Sequence, residues 1–142
     1  MDILSRWLHL AAAAVAVGGL VYARFVFSPA LEVLGEEERA SVLAKLSARL
    51  RPLAMIVIIV LVASGSYNFL RVLEGGVEAT YHMAFGVKFL LATHVFAMLY
   101  LVALPPSGDA ARDAKRPRLI LSAAISGFII FALGAYLRTL HG

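Results

Sequence analysis

Hydrophobic residues in this chain gather into four long runs separated by short polar connections. The runs cover residues 4–27, 53–72, 81–104 and 119–137. Each run is close to the roughly 20 residues that a helix needs to cross a bilayer. Only α-helices and closed β-barrels satisfy their backbone hydrogen bonds in lipid, and four continuous apolar runs cannot form a barrel. The pattern predicts an all-α, integral membrane four-helix bundle, with residues 1–142 forming one transmembrane domain.

The connections between the runs carry the signals expected of helix ends. Residues 36–50 predict an amphipathic helix at the cytoplasmic surface, because Leu43, Leu46 and Leu50 recur at helical spacing among basic residues. Pro52 follows at a position where a new helix can begin. Glycines at 75 and 76 predict the end of the second membrane helix, and the prolines at 105 and 106 predict the end of the third.

Basic residues are divided unequally between the two sets of connections. The two connections that follow the first and third runs hold eight lysines and arginines, and Arg24 lies at their margin, whereas the opposite end of the bundle has only Arg6, Arg71 and Arg138. Cytoplasmic loops attract the excess of positive charge, so both termini are predicted on the outer, periplasmic side. We expect a multi-pass protein of the inner (plasma) membrane. The first run is too long for a cleavable signal peptide, and we expect it to remain as a membrane helix.

Composition removes several classes of function. The chain is 61% apolar and 15% charged, and it contains no cysteine, which excludes disulfides, thiolate metal sites and iron–sulfur clusters. Its net charge of +4 comes from the connecting loops, so it indicates a lipid bilayer as partner and no nucleic acid. All aspartates and glutamates lie in loops or near a terminus, which argues against a carboxylate proton relay. No hydrolase, P-loop or dinucleotide motif is present.

Polar residues inside the runs concentrate in the outer half of the predicted bundle. His9 lies in the first run, and His82 begins the third. Lys88 would lie about 9 Å deeper than His82, and His94 about 18 Å deeper, at 1.5 Å per residue. Ionisable groups are costly within a membrane and usually mark a site or a pathway. The second and fourth runs return Tyr67, Asn68 and Arg138 to the same outer end.

Each of these residues has a structural interpretation beside the functional one. Lys88 either extends its ammonium to the headgroups or faces the bundle, where it binds a carboxylate such as a propionate or moves protons. His94 is either a neutral core histidine bonded to a neighbouring helix or an axial ligand. His9 heads a stripe of small residues, which serves helix packing or leaves space for a macrocycle. His82 is either solvated or a ligand, and His141 is expected to be idle.

Helical rotation limits which of these residues can share one site. Steps of six residues rotate a helix by about 600°, so His82, Lys88 and His94 point in directions about 120° apart. A single site is therefore expected to combine His9 with one of them, and Lys88 and His82 match its depth best. Met83 and Met98 lie on the same stripe as His94, which would suit a soft metal. A stripe of this kind is more often used for packing.

Two other features bear on packing and orientation. Arg24, near the inner end of the first run, is expected to anchor that end at the membrane interface. Ala123, Gly127 and Gly134 form a seam of small residues on the fourth helix. Such a seam suits close packing either inside the bundle or across a homodimer.

The opening segment resembles a known group of membrane proteins. Trp7-Leu8-His9, then Gly18-Gly19, then Arg24-Phe25-Val26 are similar to the first helix of the CopD-like and HemJ-like families. The former are associated with copper handling, and the latter with haem b and protoporphyrinogen oxidation. His9, Gly19 and Lys88 match family positions. Ser28-Pro29 occupies the stretch in which HemJ-like proteins usually carry a second histidine.

Three hypotheses follow from the residues and the resemblance. The first is a haem b protein for electron transfer or for oxidation of a small or tetrapyrrole substrate. In it His9 is an axial ligand, His82 or His94 is the second candidate ligand, and Lys88 or Arg138 meets propionates or moves protons. Tyr67 and Asn68 would line the same site. The second hypothesis is copper binding or transport through His9, His82 or His94 with Met83 and Met98. The third is a structural membrane subunit without a cofactor.

Overall fold

The computed structural model describes residues 3–76 and 79–139, and these residues form four long helices and no strand. We label them α1 (Ile3–Tyr22), α2 (Glu36–Glu74), α3 (Ala79–Val102) and α4 (Arg116–Thr139). Taken with the short turns that adjoin them, all four are long and apolar enough to cross a membrane. The predicted all-α, four-helix membrane bundle is therefore confirmed at this level. His141 lies outside the described residues.

The helices pack around α1 and α4. Helix α1 lies along α2 on one side and along α4 on the other, and α4 lies along α3, whereas α2 and α3 contact each other less. One buried cluster contains Ala12, Ala16, Val57 and Leu61 from α1 and α2. A second contains Leu20, Val95, Ile120, Ala123 and Ala124 from α1, α3 and α4. Large apolar side chains on the sides of the bundle, such as Leu90 at 70% exposure, are the residues that lipid would cover.

Helix α2 differs from the prediction, because it is one helix where two were expected. The amphipathic segment 36–50 and the membrane segment 53–72 join without a break, and Pro52 lies inside α2. A proline removes one backbone donor and crowds the carbonyl four residues earlier, which is a local cost. Alanine and leucine before Pro52 favour helix, and the apolar segment after it satisfies its backbone in lipid only as a helix, so α2 continues through the proline. At 39 residues, α2 is about 58 Å long, well beyond the hydrocarbon thickness of about 30 Å.

The end of α1 also departs from a regular helix. Residues Ala23–Phe27 form a π-helical turn, followed by a short helix at Ser28–Ala30 and a 3-10 turn at Leu31–Val33. Pro29 has no N–H to give to the carbonyl four residues back, and its ring would crowd that carbonyl. A wider turn relieves this crowding. The hydroxyl of Ser28 donates to the carbonyl of Ala23 at 2.7 Å and stabilises the wider turn.

The remaining connections end the helices with backbone and side-chain caps. After α2, Gly76 adopts a positive φ of 73°, which a glycine tolerates, and its N–H donates to the carbonyl of Leu73 at 3.1 Å. After α3, the guanidinium of Arg116 donates to the carbonyls of Leu101 and Leu104. A cation at this end also complements the helix dipole. Helix α3 begins and ends two residues before the predicted bounds of 81–104, and α4 exceeds 119–137 at both ends.

Candidate functional site

His9 is held by a hydrogen bond from α1 to α2. Its Nδ1 lies 2.9 Å from the hydroxyl oxygen of Ser64. That hydroxyl already donates its proton to the carbonyl of Val60, at 2.5 Å within α2. A hydroxyl has one proton to give, so towards His9 it is an acceptor and Nδ1 must be the donor. The ring of His9 also has a hydrogen bond with the backbone of Leu61, three residues before Ser64. With its proton on Nδ1, the ring would keep the lone pair of Nε2 for a ligand.

Close contact between α1 and α2 at this level depends on Gly65. A Cβ added to Gly65 would lie 3.2 Å from Cε1 of His9 and 3.7 Å from its Nδ1. This is tighter than ordinary van der Waals contact between carbon atoms. Any larger residue would have to displace the ring. Gly65 therefore leaves the space in which the imidazole reaches Ser64.

A second polar contact lies one turn from His9. The hydroxyl of Ser5 donates to Oδ1 of Asn68 at 3.0 Å. A step of four residues along α1, from Ser5 to His9, is matched by a step of four back along α2, from Asn68 to Ser64. This register is that of two antiparallel helices packed on one seam. Asn68 therefore lies about one turn of α2 from Ser64, the residue that contacts His9.

Lys88 reaches towards the same end of the bundle from α3. Its Nζ lies 3.6 Å from the position that a Cβ would occupy at Gly134, so the ammonium rests over a glycine of α4. The side chain is half-buried, and it lies close enough to His9 to act on it electrostatically. Among residues 3–76 and 79–139 the ammonium has no hydrogen-bond or ion-pair partner. An uncompensated cation between membrane helices is unusual and marks a candidate binding site for an anionic group.

His94 is placed in different surroundings, on the seam between α3 and α4. Its Nε2 lies 3.2 Å from the hydroxyl of Ser122, and that hydroxyl donates to the carbonyl of Leu119 at 2.8 Å. By the same reasoning Nε2 is the protonated nitrogen here. The adjacent residue Val95 belongs to the apolar cluster around Leu20. This arrangement matches the structural interpretation, a neutral histidine bonded to a neighbouring helix.

The other predicted site residues lie at the surface or serve the helix end. His82 is exposed at the start of α3, with its ring edge-on to Tyr81 at a centroid distance of 6.3 Å. Tyr67 accepts a hydrogen bond at 3.2 Å from Nε of Arg71, which is also paired with Glu74 at 3.0 Å. Arg138 is exposed in the last turn of α4. The described contacts do not bring these three side chains to His9.

Aromatic rings join α2 and α3 near the same end. The rings of Phe69 and Phe85 stack with centroids 3.9 Å apart, and Tyr81 stacks on Phe85 at 6.3 Å. Tyr81 is buried in this stack. The sequence reasoning did not identify this stack, nor the two serines that orient the histidines. Ser64 and Asn68 lie four residues apart in the apolar segment 53–72, at the depth of His9. This spacing could have identified the contact between His9 and Ser64.

The predicted metal ligands do not form a cluster. Within the described parts of the chain, no three histidine, aspartate or glutamate side chains are grouped so that they could hold a metal ion. Met83 is 74% exposed, and Met98 packs against the cluster around Leu20 and Val95. A surface hollow lined by Leu34, Glu37 and Val42 lies at the start of α2, at the other end of the bundle.

The small-residue seam of α4 is used inside the chain. Ala123 and Ala124 are buried, and a Cβ on Gly127 would lie 2.5 Å from Cγ2 of Val17 on α1. These residues therefore let α1 and α4 approach closely. A homodimer through α4 stays a prediction.

Comparison of the chain with protein-family models, with curated proteins and with solved structures finds no match.

Proposed function

We propose that this protein is a small membrane haem b protein in which Nε2 of His9 is an axial ligand. The observation that carries the proposal is the hydrogen bond between His9 and Ser64 within electrostatic range of the ammonium of Lys88. Histidines that ligate metals commonly donate their other ring N–H to an oxygen acceptor, which sets both the tautomer and the ring orientation. Here Ser64 is that acceptor, because its own proton is given to the carbonyl of Val60.

Lys88 supplies the second element of the proposal. A haem b molecule carries two propionates, and their carboxylates need cationic or hydrogen-bonding partners when they enter a membrane protein. The ammonium of Lys88 has no partner within the described residues and lies in electrostatic range of His9. Its role here is to bind a propionate or to hold a proton beside the site. The resemblance of Trp7-Leu8-His9 and Lys88 to the HemJ-like pattern supports the same assignment.

The residues of the chain have limited and distinct roles in this proposal. Ser64 holds the imidazole, Gly65 leaves space for it, and the contact between Ser5 and Asn68 fixes the register of α1 on α2. When bound, the haem would supply one-electron chemistry for electron transfer or for oxidation of a small or tetrapyrrole substrate. His82 is accessible at the same end of the bundle and is the candidate for a second ligand, whereas His94 is committed to Ser122.

Haem is favoured over copper by the placement of the methionine sulfurs. A copper site built from His9, His94, Met83 and Met98 would need both sulfurs directed at the histidines. Met83 is instead one of the most exposed residues, and Met98 packs in an apolar cluster. We therefore centre the proposed site on His9 and Lys88, without the methionines.

The location of the site within the cell follows from charge. With eight basic residues in the two connections at the opposite end of the bundle and Arg24 at their margin, we place that end in the cytoplasm and the His9 end outside. The protein would then be a multi-pass component of the inner (plasma) membrane with both termini on the periplasmic side. A cysteine-labelling scan of the loops with a membrane-impermeant reagent tests this orientation directly.

The test of haem binding is the visible spectrum of the protein purified in mild detergent, in its oxidised and reduced forms. We expect a Soret band that His9→Ala abolishes and that His94→Ala leaves in place, because only His9 has an uncommitted nitrogen beside the cation. Haem titration of the purified protein guards against incomplete loading in the cell. A colourless wild-type protein that also fails to bind added haem, or a His9→Ala variant with the full Soret band, would overturn the proposal.

A further inference from the structure

Arg24 carries a buried hydrogen-bond donor that nothing in the described chain satisfies. Its Nε is shielded from solvent and has no hydrogen-bond partner within residues 3–76 and 79–139. An arginine side chain stays protonated in proteins, so it cannot escape this cost by losing its charge. Buried donors normally have partners, and an unsatisfied one needs an explanation such as an absent ligand.

The position of Arg24 is set by the irregular end of α1. It lies in the π-helical turn Ala23–Phe27, whose geometry follows from Pro29 and from the hydrogen bond of Ser28 to Ala23. The turn contacts α4, and Ala23 packs against the apolar cluster around Leu20. The backbone beneath Arg24 is thus held on two sides. π-Helical turns of this kind are frequent at functional sites.

The depth of Arg24 corresponds to the headgroup region of a bilayer. It lies about 22 Å along the helix axis from His9, at 1.5 Å per residue, and therefore near the other face of the membrane. The guanidinium carbon lies 5.6 Å from the centre of the neighbouring Phe25 ring. Phe25 and its neighbours Tyr22 and Val26 are all more than half exposed, so an apolar surface surrounds the cation. A cation flanked by exposed apolar side chains suits an amphipathic ligand better than a free ion.

The whole end of the bundle around Arg24 is rich in cations that lack ion pairs. We call this the basic end, and its residues are Arg24, Arg39, Lys45, Arg49, Arg51, Arg112, Lys115, Arg116 and Arg118. Glutamates and aspartates occur in the same connections, yet the described residues contain an ion pair within 4 Å only at the opposite end, between Arg71 and Glu74. Clusters of lysine and arginine next to membrane helices attract anionic lipid headgroups.

We propose that the basic end holds an anionic phospholipid, whose acyl chains lie along Tyr22, Phe25 and Val26. Its phosphate binds the guanidinium of Arg24, and the long side chain turns outward so that the shielded Nε–H can donate to the phosphate as well. Arginine binds phosphate through charge-assisted hydrogen bonds from its planar fork, which lysine cannot reproduce. The bilayer is the source of the ligand, because the apolar surface beside the cation has no use in binding free phosphate. This inference is independent of haem binding at His9.

Native mass spectrometry of the purified protein tests the proposal with phosphatidylglycerol and phosphatidylcholine of the same acyl chains. Wild-type protein should bind phosphatidylglycerol about tenfold more tightly, which corresponds to one charge-assisted contact. Arg24→Gln should reduce that preference to about twofold, the part owed to diffuse charge. Arg118→Gln is the matched control, since it removes one exposed cation from the same end and should keep most of the preference.

Two further measurements keep the result decisive. Arg24→Lys retains the charge but loses the Nε donor, so it should show a preference about threefold weaker than wild type. If circular dichroism shows that Arg24→Gln does not fold, the Arg24→Lys variant is used for the test instead. Inorganic phosphate should fail to displace the lipid. Full preference in the variants at Arg24, an equal loss in Arg118→Gln, or displacement by inorganic phosphate would each overturn the proposal.

Discussion

His9 and His94 are each held by a serine on a neighbouring helix, but the two pairs differ in what surrounds them. In both pairs the serine hydroxyl donates to a carbonyl of its own helix and accepts a hydrogen bond from an imidazole N–H. His94 uses Nε2 for this contact and His9 uses Nδ1. The hydrogen bond alone therefore does not separate a site from a packing contact.

The difference lies in the polar groups next to each pair. His9 has the contact between Ser5 and Asn68 one turn away and the unpartnered ammonium of Lys88 in range. His94 adjoins Val95 and the apolar cluster of α1, α3 and α4. A neutral, satisfied histidine in apolar surroundings is a stable packing unit. A cation left without an anion among residues 3–76 and 79–139 marks the His9 region, and not the His94 region, as the candidate for binding an anionic group.

Removing the two serines gives the largest expected contrast between the pairs. Ser64→Ala removes the acceptor that sets the tautomer of His9, and loss of such a partner typically costs about 10–100-fold in metal-centre affinity. Ser122→Ala should leave haem affinity unchanged, because His94 is not a ligand in this account. Haem titration followed at the Soret band measures both. Equal affinities for the two variants would contradict the assignment of His9.

Adding a methyl group at two glycines separates the site from the fold. Gly127→Ala places a Cβ 2.5 Å from Cγ2 of Val17, and a β-branched side chain in a helix has little freedom to move away. We expect a loss of about 1–3 kcal/mol in the free energy of unfolding in detergent. Gly65→Ala meets only the imidazole edge at 3.2 Å, so it should affect haem affinity more than stability. Denaturant titration and haem titration of both variants test these two expectations. A larger loss of stability in Gly65→Ala, with a larger loss of haem affinity in Gly127→Ala, would show that the two glycines are assigned to the wrong roles.

Replacing Lys88 should have the smallest effects, with opposite signs for stability and binding. Lys88→Met removes an unpartnered ammonium from between α3 and α4, so the haem-free protein should gain about 1 kcal/mol in stability. Haem affinity should fall about two- to fivefold through loss of the charge that meets a propionate. Lys88→Arg is the control that keeps the charge. If Lys88→Met lost stability without haem, the ammonium would have a structural partner, and its role in binding would be rejected.

The four membrane helices could be predicted because each apolar run is long enough to make the assignment on its own. The behaviour of the helices at Pro52 and Pro29 was harder to predict, because it depends on local interactions that oppose one another. Pro52 favours a helix start, yet the apolar segment after it satisfies its backbone in lipid only as a helix, so α2 continues despite the one lost hydrogen bond. Pro29 produced a π-helical turn, because the hydroxyl of Ser28 was available to satisfy the carbonyl of Ala23.

The candidate site was less predictable than the fold, because it depends on which helices are neighbours. Hydropathy showed that His9, Lys88 and Asn68 lie at one end, but it gave no information on whether α1 pairs with α2, α3 or α4. Once α1 is seen to lie along α2, the register brings His9 to Ser64 and Gly65. His82 and Arg138 lie at the same end of the bundle, but their side chains are exposed. Residue spacing alone does not show which face of a helix packs against its neighbours, so their exposure could not be predicted.

The claim on which the account depends is that Nε2 of His9 is available as a haem ligand, and chemical rescue tests it most directly. His9→Gly would remove the imidazole, and haem titration of this variant would be recorded with and without added imidazole. Without imidazole, the His9→Gly variant should show no Soret shift when haem is added. Added imidazole should restore a wild-type-like Soret band. 1-Methylimidazole, which also presents a free ring nitrogen, should restore it as well. A wild-type-like spectrum without any imidazole would contradict the account.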